Sequence, residues 1–172
     1  TIAGLTTLAA AIFAGPYFSQ QDNPGALTRF NVLPPFGASR PVLEGFELSP
    51  DGQALAFVAT AADGRSRIFI RRFDEPEAQP IAGTENGALP FWSPDSRHIG
   101  FTREGALFRT DLGATALRRV CAVPGPVQGR MFATSFGTWG TRGIIVFTSP
   151  DGELFQVPDS GGTPAPLTSL DA

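Results

Sequence analysis

The 172-residue chain contains no lysine: all 13 of its basic residues are arginine. That absence removes whole classes of chemistry. A Walker-type phosphate loop sets a lysine on the β- and γ-phosphates of a nucleotide. A protein kinase core pairs a strand lysine with the α- and β-phosphates. Pyridoxal phosphate enzymes form their Schiff base on a lysine amine. None of the three can be built from these residues. Cysteine and histidine are scarce as well. One cysteine, Cys121, excludes an intrachain disulfide and a site held by several thiolates. One histidine, His98, leaves a single imidazole for any Ser-His-Asp or Cys-His system. Only 17% of residues are charged and the net charge is −3, with the two signs interspersed, so there is no basic footprint for nucleic acid.

Glycine (20), proline (16) and phenylalanine (15) are abundant. This much glycine and proline stays below the level of disordered chains. With short apolar runs between them, the pattern points to an all-β protein rich in turns. The length suits one domain or a piece of a larger one. The chain does not begin with Met and ends at Leu170-Asp171-Ala172 without a structural stop, so both ends read as cuts in a longer chain.

Residues Thr1–Gln21 carry no charge. As a helix, Thr1–Phe18 would span about 27 Å, just under the hydrocarbon core of a bilayer. Pro16 and Tyr17 suit its interfacial end. A transmembrane or anchor helix (its C-terminal part) is the expected role of residues 1–21. The apolar region of a signal peptide and a buried or frayed terminal helix are the alternatives. A linker follows over 22–42, with Asn23-Pro24-Gly25 as a turn and Arg29–Leu33 as a short strand stopped by Pro34-Pro35.

From Phe46 onward the chain repeats itself. Leu48-Ser-Pro-Asp-Gly-Gln-Ala-Leu-Ala-Phe57 overlies Trp92-Ser-Pro-Asp-Ser-Arg-His-Ile-Gly-Phe101 at an offset of 44 residues. Trp139-Gly-Thr-Arg-Gly-Ile-Ile-Val-Phe147 is a third, degenerate copy. A turn and a second apolar strand follow each copy: Arg67–Phe73, Ala106–Asp111 and Glu153–Val157. Another turn leads to a shorter strand: Ala78–Ile81, Leu117–Cys121 and Ala165–Thr168. In the Ser-Pro-Asp-Gly turn (Ser49, Pro50, Asp51, Gly52; then Ser93, Pro94, Asp95) the proline presets φ. The aspartate caps nearby backbone N–H groups, and Gly52 supplies the left-handed conformation. Ser96 stands where the first copy has Gly52, so the second turn is expected to differ slightly. Ala62-Asp63-Gly64, Arg103-Glu104-Gly105 and Pro150-Asp151-Gly152 read as hairpin turns. Ser149-Pro-Asp-Gly152 copies the first motif one hairpin later.

Four-stranded units at this period are the signature of a β-propeller. The expected fold class is therefore all-β: an incomplete propeller of about three four-stranded blades over 43–172 (about 43–82, 87–122 and 134–168), preceded by an apolar helix. Phe57, Trp92, Phe101, Trp139 and Phe147 are the expected blade-packing residues. The pairs Leu55/Phe57 and Ile99/Phe101 are expected to face the next blade, with small Ala56 and Gly100 on the opposite face. Closed propellers have four to eight blades, so three are expected to leave two edges unpaired and exposed, as in a propeller fragment.

The motif Phe91-Trp-Ser-Pro-Asp-Ser-Arg-His-Ile-Gly-Phe101, followed by Leu107-Phe-Arg-Thr-Asp-Leu112, resembles the TolB-type, WD-like propeller repeats of bacteria. More closely, residues 28–172 are similar to the C-terminal regions of membrane-anchored serine/threonine protein kinases of the acidobacterial type. The pieces that carry this likeness are Arg29-Phe-Asn-Val-Leu-Pro-Pro35, Glu47-Leu-Ser-Pro-Asp-Gly52, Ala78-Gln-Pro-Ile-Ala-Gly-Thr-Glu85 and Thr168-Ser-Leu-Asp-Ala172. In that family a cytoplasmic kinase domain precedes one transmembrane helix and a propeller. The link from Val123 to Phe136 departs from the pattern by its length.

The resemblance implies a parent that is a kinase using ATP and Mg, with this segment non-catalytic and free of cofactors. It places the propeller in the periplasm or on the extracytoplasmic side, anchored to the membrane through residues 1–21. A protein, peptide or cell-envelope ligand would bind at the propeller face, and nucleic acid would not. A TolB-like periplasmic scaffold and the propeller of a prolyl-oligopeptidase-like hydrolase are the alternative functions. The residues themselves offer no Gly-rich nucleotide loop, no His-Arg-Asp and no Asp-Phe-Gly. Gly137–Gly143 is glycine-rich but has the wrong spacing and opens a strand. Asp51, Asp95 and Asp151 fall on turns of different blades and read as caps rather than a carboxylate set. His98 reads as a structural or surface residue, Cys121 as a small buried hydrophobe, and the Arg71-Arg72 and Arg118-Arg119 pairs as alternating strand faces with one side solvated.

Overall fold

Turn residues cut the chain into strands of two to seven residues, and a computed structural model describes residues 44–61, 63–113, 116–125 and 137–168. Twelve strands form within them: β1 (Glu44–Leu48), β2 (Ala54–Thr60), β3 (Ser66–Arg72), β4 (Gln79–Pro80), β5 (Ala88–Trp92), β6 (His98–Arg103), β7 (Ala106–Asp111), β8 (Leu117–Ala122), β9 (Gly137–Trp139), β10 (Ile144–Thr148), β11 (Leu154–Pro158) and β12 (Ala165–Pro166). They make three four-stranded antiparallel sheets, each an up-and-down meander in chain order: β1-β2-β3-β4, β5-β6-β7-β8 and β9-β10-β11-β12. No described residue is helical. The expected N-terminal helix and the Arg29–Leu33 strand lie outside the described residues.

The hairpins follow their turn chemistry. Between β6 and β7 the two-residue loop Glu104-Gly105 has φ of 49° and 72°, and Arg103 pairs directly with Ala106. Two successive left-handed residues are what a type I′ hairpin requires. The inner strands carry a second recurrent device. β1 has a bulge between Glu44 and Phe46, with Gly45 at φ 65°. β5 has its irregularity between Ala88 and Phe91, with Leu89 at φ 52°. Leu89 thus holds, with a Cβ, the backbone that glycine adopts 44 residues earlier, at a strain of about 1–2 kcal/mol.

Strand alternation decides which side chains lie between sheets. Ala54, Ala56, Val58, Ile68, Ile70 and Ile81 of the first unit pack against Trp92, Ile99 and Phe101 of the second. On the other side of the second sheet, Phe91, Leu107, Val120 and Cys121 pack against Trp139, Ile145, Phe147, Phe155 and Val157 of the third. The direction is the reverse of that expected. Ile99 and Phe101 face the preceding sheet, as does Phe147, while Ala56 and Gly100 lie on the face toward the following one. Phe57 likewise sits on the face of the first sheet turned away from the second, with Ala59 and Phe69. Bulky residues from one sheet therefore fill space left by small residues on the sheet before it.

Each sheet carries one stacked phenylalanine pair across its two central strands. The pairs are Phe57–Phe69, Phe101–Phe108 and Phe147–Phe155, with ring centroids 5.8, 5.8 and 6.0 Å apart. The outer edges are tied to neighbouring units as well. Val120 is the extra residue where the β7–β8 register shifts, and its carbonyl accepts the Gly162 N–H of the third unit at 3.1 Å. Among the described residues one buried side-chain group is left without a partner: Thr110 Oγ1, in the face between the first and second sheets. A buried hydroxyl without a hydrogen bond costs about 1–3 kcal/mol. Thr110→Val keeps the β-branched shape and is expected to raise stability by about 1 kcal/mol, read as a higher urea midpoint at unchanged slope. A lower midpoint would show that the hydroxyl is satisfied in solution.

Candidate functional site

The Ser-Pro-Asp turns are built by their serines. Ser49 Oγ accepts the N–H of Gln53 at 3.1 Å and of Ala54 at 2.9 Å, and donates to Asp51 Oδ1. Ser93 Oγ accepts the His98 N–H at 2.9 Å and donates to Asp95 Oδ1, which also accepts the Arg97 N–H at 3.1 Å. Pro50 and Pro94 ride exposed at the tip of each turn. The second turn does not differ in backbone: Ser96 takes φ 59°, close to the 71° of Gly52. Its hydroxyl accepts the Asp51 N–H at 3.1 Å, tying the two turns together. Ser149 repeats the arrangement one hairpin later, between β10 and β11, accepting the Glu153 N–H at 3.1 Å.

These bonds decide how Ser93, Asp95 and His98 are read. The three side chains touch, with His98 Nδ1 3.4 Å from Ser93 Oγ and 3.3 Å from Asp95 Oδ1. The composition is that of a hydrolytic triad. Yet Ser93 is buried and its hydroxyl is engaged inside the turn. Ser49 makes the same bonds with Ala54, not a histidine, at the matching place. The grouping is turn structure. Cys121 offers no nucleophile either, since burial pushes its thiol up to about 11. Among the described residues no three His, Cys, Asp or Glu side chains are grouped so as to hold a metal ion.

A polar cleft does open where the second and third sheets splay apart beside the Ser93–Ser96 turn. It encloses about 180 Å³ and is lined by Asp95, His98, Arg109, Trp139, Thr141 and Asp159 among others. His98 stands between two carboxylates, with Nε2 2.9 Å from Asp111 Oδ1 and Nδ1 facing Asp95. Its ring lies 5.7 Å from that of Trp139. Trp139 donates its indole N–H to Asp159 Oδ2 at 3.2 Å, and the Arg109 guanidinium lies over the indole at 5.9 Å. Arg109 Nη1 is 3.8 Å from Asp159 Oδ1, too long for a hydrogen bond. The Ser93 hydroxyl, first among several donors, holds the Asp95 carboxyl down at about 2, so it stays ionised across the physiological range.

The two tryptophans occupy equivalent strand ends but do different work. Trp92 donates to the Glu47 carbonyl of the first sheet at 3.0 Å, a pure inter-sheet tie. Trp139 forms the wall of the cleft. Arg109 lies within the repeat segment 107–112 and Asp159 in the segment after β11; neither stands out within a single repeat, because the two meet only when the sheets stack. A larger cavity of about 390 Å³ lies at the rim between the first two sheets, floored by Ile70, Ile81 and Leu112 with Arg72 and Glu75 at its lip. Its floor is apolar, and the Arg72–Glu75 pair at its lip is 3.9 Å apart with both side chains about half exposed.

No protein-family model matches the chain. A 56-residue stretch, 31% of the chain, is 38% identical to the Tol-Pal system protein TolB of Alcanivorax borkumensis, and covers 13% of that protein. The crystal structure of TolB from Acinetobacter baumannii superposes with a TM-score of 0.58 at 19% identity, over 76% of this chain and 33% of that one. A putative TolB from Agrobacterium tumefaciens gives 0.57 at 17% identity, over 73% and 46%. The β-propeller domain of the Trilobed protease from Pyrococcus furiosus gives 0.52 at 17% identity, over 74% and 43%. These likenesses show a TolB-type β-propeller fold. The chain spans about an eighth of the curated relative and between a third and a half of the solved structures.

Proposed function

We propose that the chain is a non-catalytic binding propeller on the extracytoplasmic side of a bacterial membrane, serving as the sensor or interaction module of a membrane-anchored serine/threonine protein kinase. The observation that supports the binding role is the TolB-type fold with an open polar cleft at a sheet-to-sheet seam. The Ser-His-Asp grouping beside that cleft is spent on turn structure. The kinase parentage rests on the order of segments: an uncharged stretch over 1–21, a linker over 22–42 and the repeats from 43 on. That order resembles the one in which a kinase domain lies upstream. On this reading ATP and Mg belong to the upstream domain, as does the catalytic lysine, and the propeller meets a protein, peptide or cell-envelope ligand.

The test compares phosphorylation by the full-length gene product with and without residues 43–172, in membranes, before and after exposure to cell-envelope extract. Deletion is expected to change basal activity or to abolish the response. Equal activity and equal response in both forms would sink the sensor reading, as would an open reading frame with no kinase domain upstream. A second reading, a free periplasmic scaffold of the TolB type, is favoured by the 56-residue match. A Met-led basic start directly before residue 1 would select it. A Gly-x-Ser-x-Gly hydrolase domain downstream would select a peptidase propeller instead.

A further inference from the structure

We propose that the cleft between the second and third sheets binds a small zwitterion, an α-amino acid with a short side chain, through Arg109 on one side and the carboxylates of Asp95 and Asp159 on the other. The proposal deepens the reading of the chain as a binding module and names a ligand chemistry for its cleft.

Three observations carry it. The first is an open charge pair. The Arg109 side chain is 19% exposed, and its nearest described acidic oxygen, Asp159 Oδ1, is 3.8 Å away. A guanidinium has five N–H donors in a planar fork, and it binds a carboxylate with two parallel bonds of about 2.7–2.9 Å. Among the described residues no carboxylate makes those two bonds to Arg109, whose side chain sits where water is limited. The second is the geometry of the acids. Asp95 commits Oδ1 to Ser93, Arg97 and His98, and Asp159 commits Oδ2 to the Trp139 indole. Each has its other carboxylate oxygen without a hydrogen bond among the described residues, and both line the same cleft. An ammonium group, a donor with no acceptor, fits such oxygens. The third is size. A cleft of about 180 Å³ has room for about six waters at the roughly 30 Å³ that each occupies in the liquid. L-Alanine, whose bonded atoms pack more tightly than separate waters, fits within that space with opposite charges at its two ends.

The two charges of the ligand would complete the loose Arg109–Asp159 pair rather than compete with it. The carboxylate end takes the guanidinium and the ammonium end takes the acids. A simple anion meets the two aspartates, and a simple cation leaves the Arg109 fork without a partner, so neither uses both sides of the cleft.

The molecule supplies its own test, because it has two indole N–H groups in different settings. Trp139 donates to Asp159 within the cleft, and Trp92 donates to Glu47 at the other sheet interface. In proton–nitrogen NMR of the full 172-residue chain, L-alanine is expected to shift the Trp139 indole resonance saturably and leave that of Trp92 in place. N-acetyl-L-alanine, which lacks the ammonium, and L-alaninamide, which lacks the carboxylate, should each bind at least tenfold more weakly. Arg109→Gln should lose at least tenfold in affinity for L-alanine while the Trp92 resonance stays where it was. Added L-seryl-L-alanine asks whether a peptide unit enters as a free amino acid does; binding as tight as that of L-alanine would overturn the assignment of a free amino acid. Absence of a saturable Trp139 shift would overturn the proposal, and so would equal affinity for the two blocked analogues. These are binding measurements on the 172-residue chain without any kinase readout, so their failure is separable from failure of the kinase reading, which is tested by phosphorylation.

Discussion

Gly100→Ala is expected to destabilise the fold by about 3 kcal/mol, at the upper end of what overpacking a core costs. A Cβ built on Gly100 would lie 2.2 Å from Phe91 Cζ, and one on Gly137 would lie 2.4 Å from Phe91 Cε1. Carbon atoms rest at about 3.5–4.0 Å. The Phe91 ring is wedged between two glycines of different sheets and is itself buried, so it has nowhere to swing. Placing alanine for glycine in a strand ordinarily gains about 0.5–1 kcal/mol from the restricted unfolded chain. Here the clash outweighs that gain and the sign reverses. The double mutant decides the cause. In a Phe91→Ala background the ring is gone, and Gly100→Ala should cost under about 1 kcal/mol, a coupling visible in a thermodynamic cycle of urea midpoints. If Gly100→Ala alone stays within about 0.5 kcal/mol of the parent protein, the wedge is not as tight as drawn.

That wedge marks where the sequence was readable and where it was not. Alternation along Leu55-Ala56-Phe57 and Ile99-Gly100-Phe101 separates a bulky face from a small one, because the strand period of two leaves no other choice. It says nothing about which face meets the earlier sheet. That sense comes from the hand of the stacking, and the large residues proved to point backward along the chain. The residues opposite Phe57, Phe101 and Phe147 are also legible in the sequence. Phe101 and Phe108 lie at equal distances from the Glu104-Gly105 turn, and Phe69 and Phe155 likewise mirror Phe57 and Phe147 about Asp63 and Asp151. Counting outward from the centre of each hairpin gives the opposite residue directly. The Ser96 turn failed for a different reason. Propensity disfavours a serine at positive φ, but the Asp51 N–H bond to its hydroxyl comes from another sheet, and a single-repeat argument cannot contain it. The cleft has the same character. His98 and Arg109 belong to one repeat and Trp139 and Asp159 to the next, where the offset from Trp92 has lengthened to 47 residues. No local motif spans the four.

Phe101→Ala is expected to cost about 4 kcal/mol and to separate the sheets selectively. The ring is fully buried between the first and second sheets, against Ala54, Ala56, Val58 and Ile68 among others. Deleting a buried phenylalanine loses its transfer free energy and leaves a cavity, together about 3–5 kcal/mol. Its stack on Phe108 adds about 0.5–1.5 kcal/mol that area alone does not count. Phe108 is only half-buried, and the Arg103 guanidinium lies over its outer face at 4.5 Å, so Phe108→Ala should cost clearly less. The distribution of the damage matters more than its size. Each sheet buries apolar surface only against its neighbours, so stability is close to a sum of unit terms and interface terms. Losing Phe101 weakens the first interface and leaves Phe91, Trp139 and Phe147 of the second intact. Amide exchange should therefore quicken in β1–β3 well before it does in β10 and β11. Equal acceleration in all three sheets would mean that they unfold as one unit, with no sheet able to open while the other two remain packed.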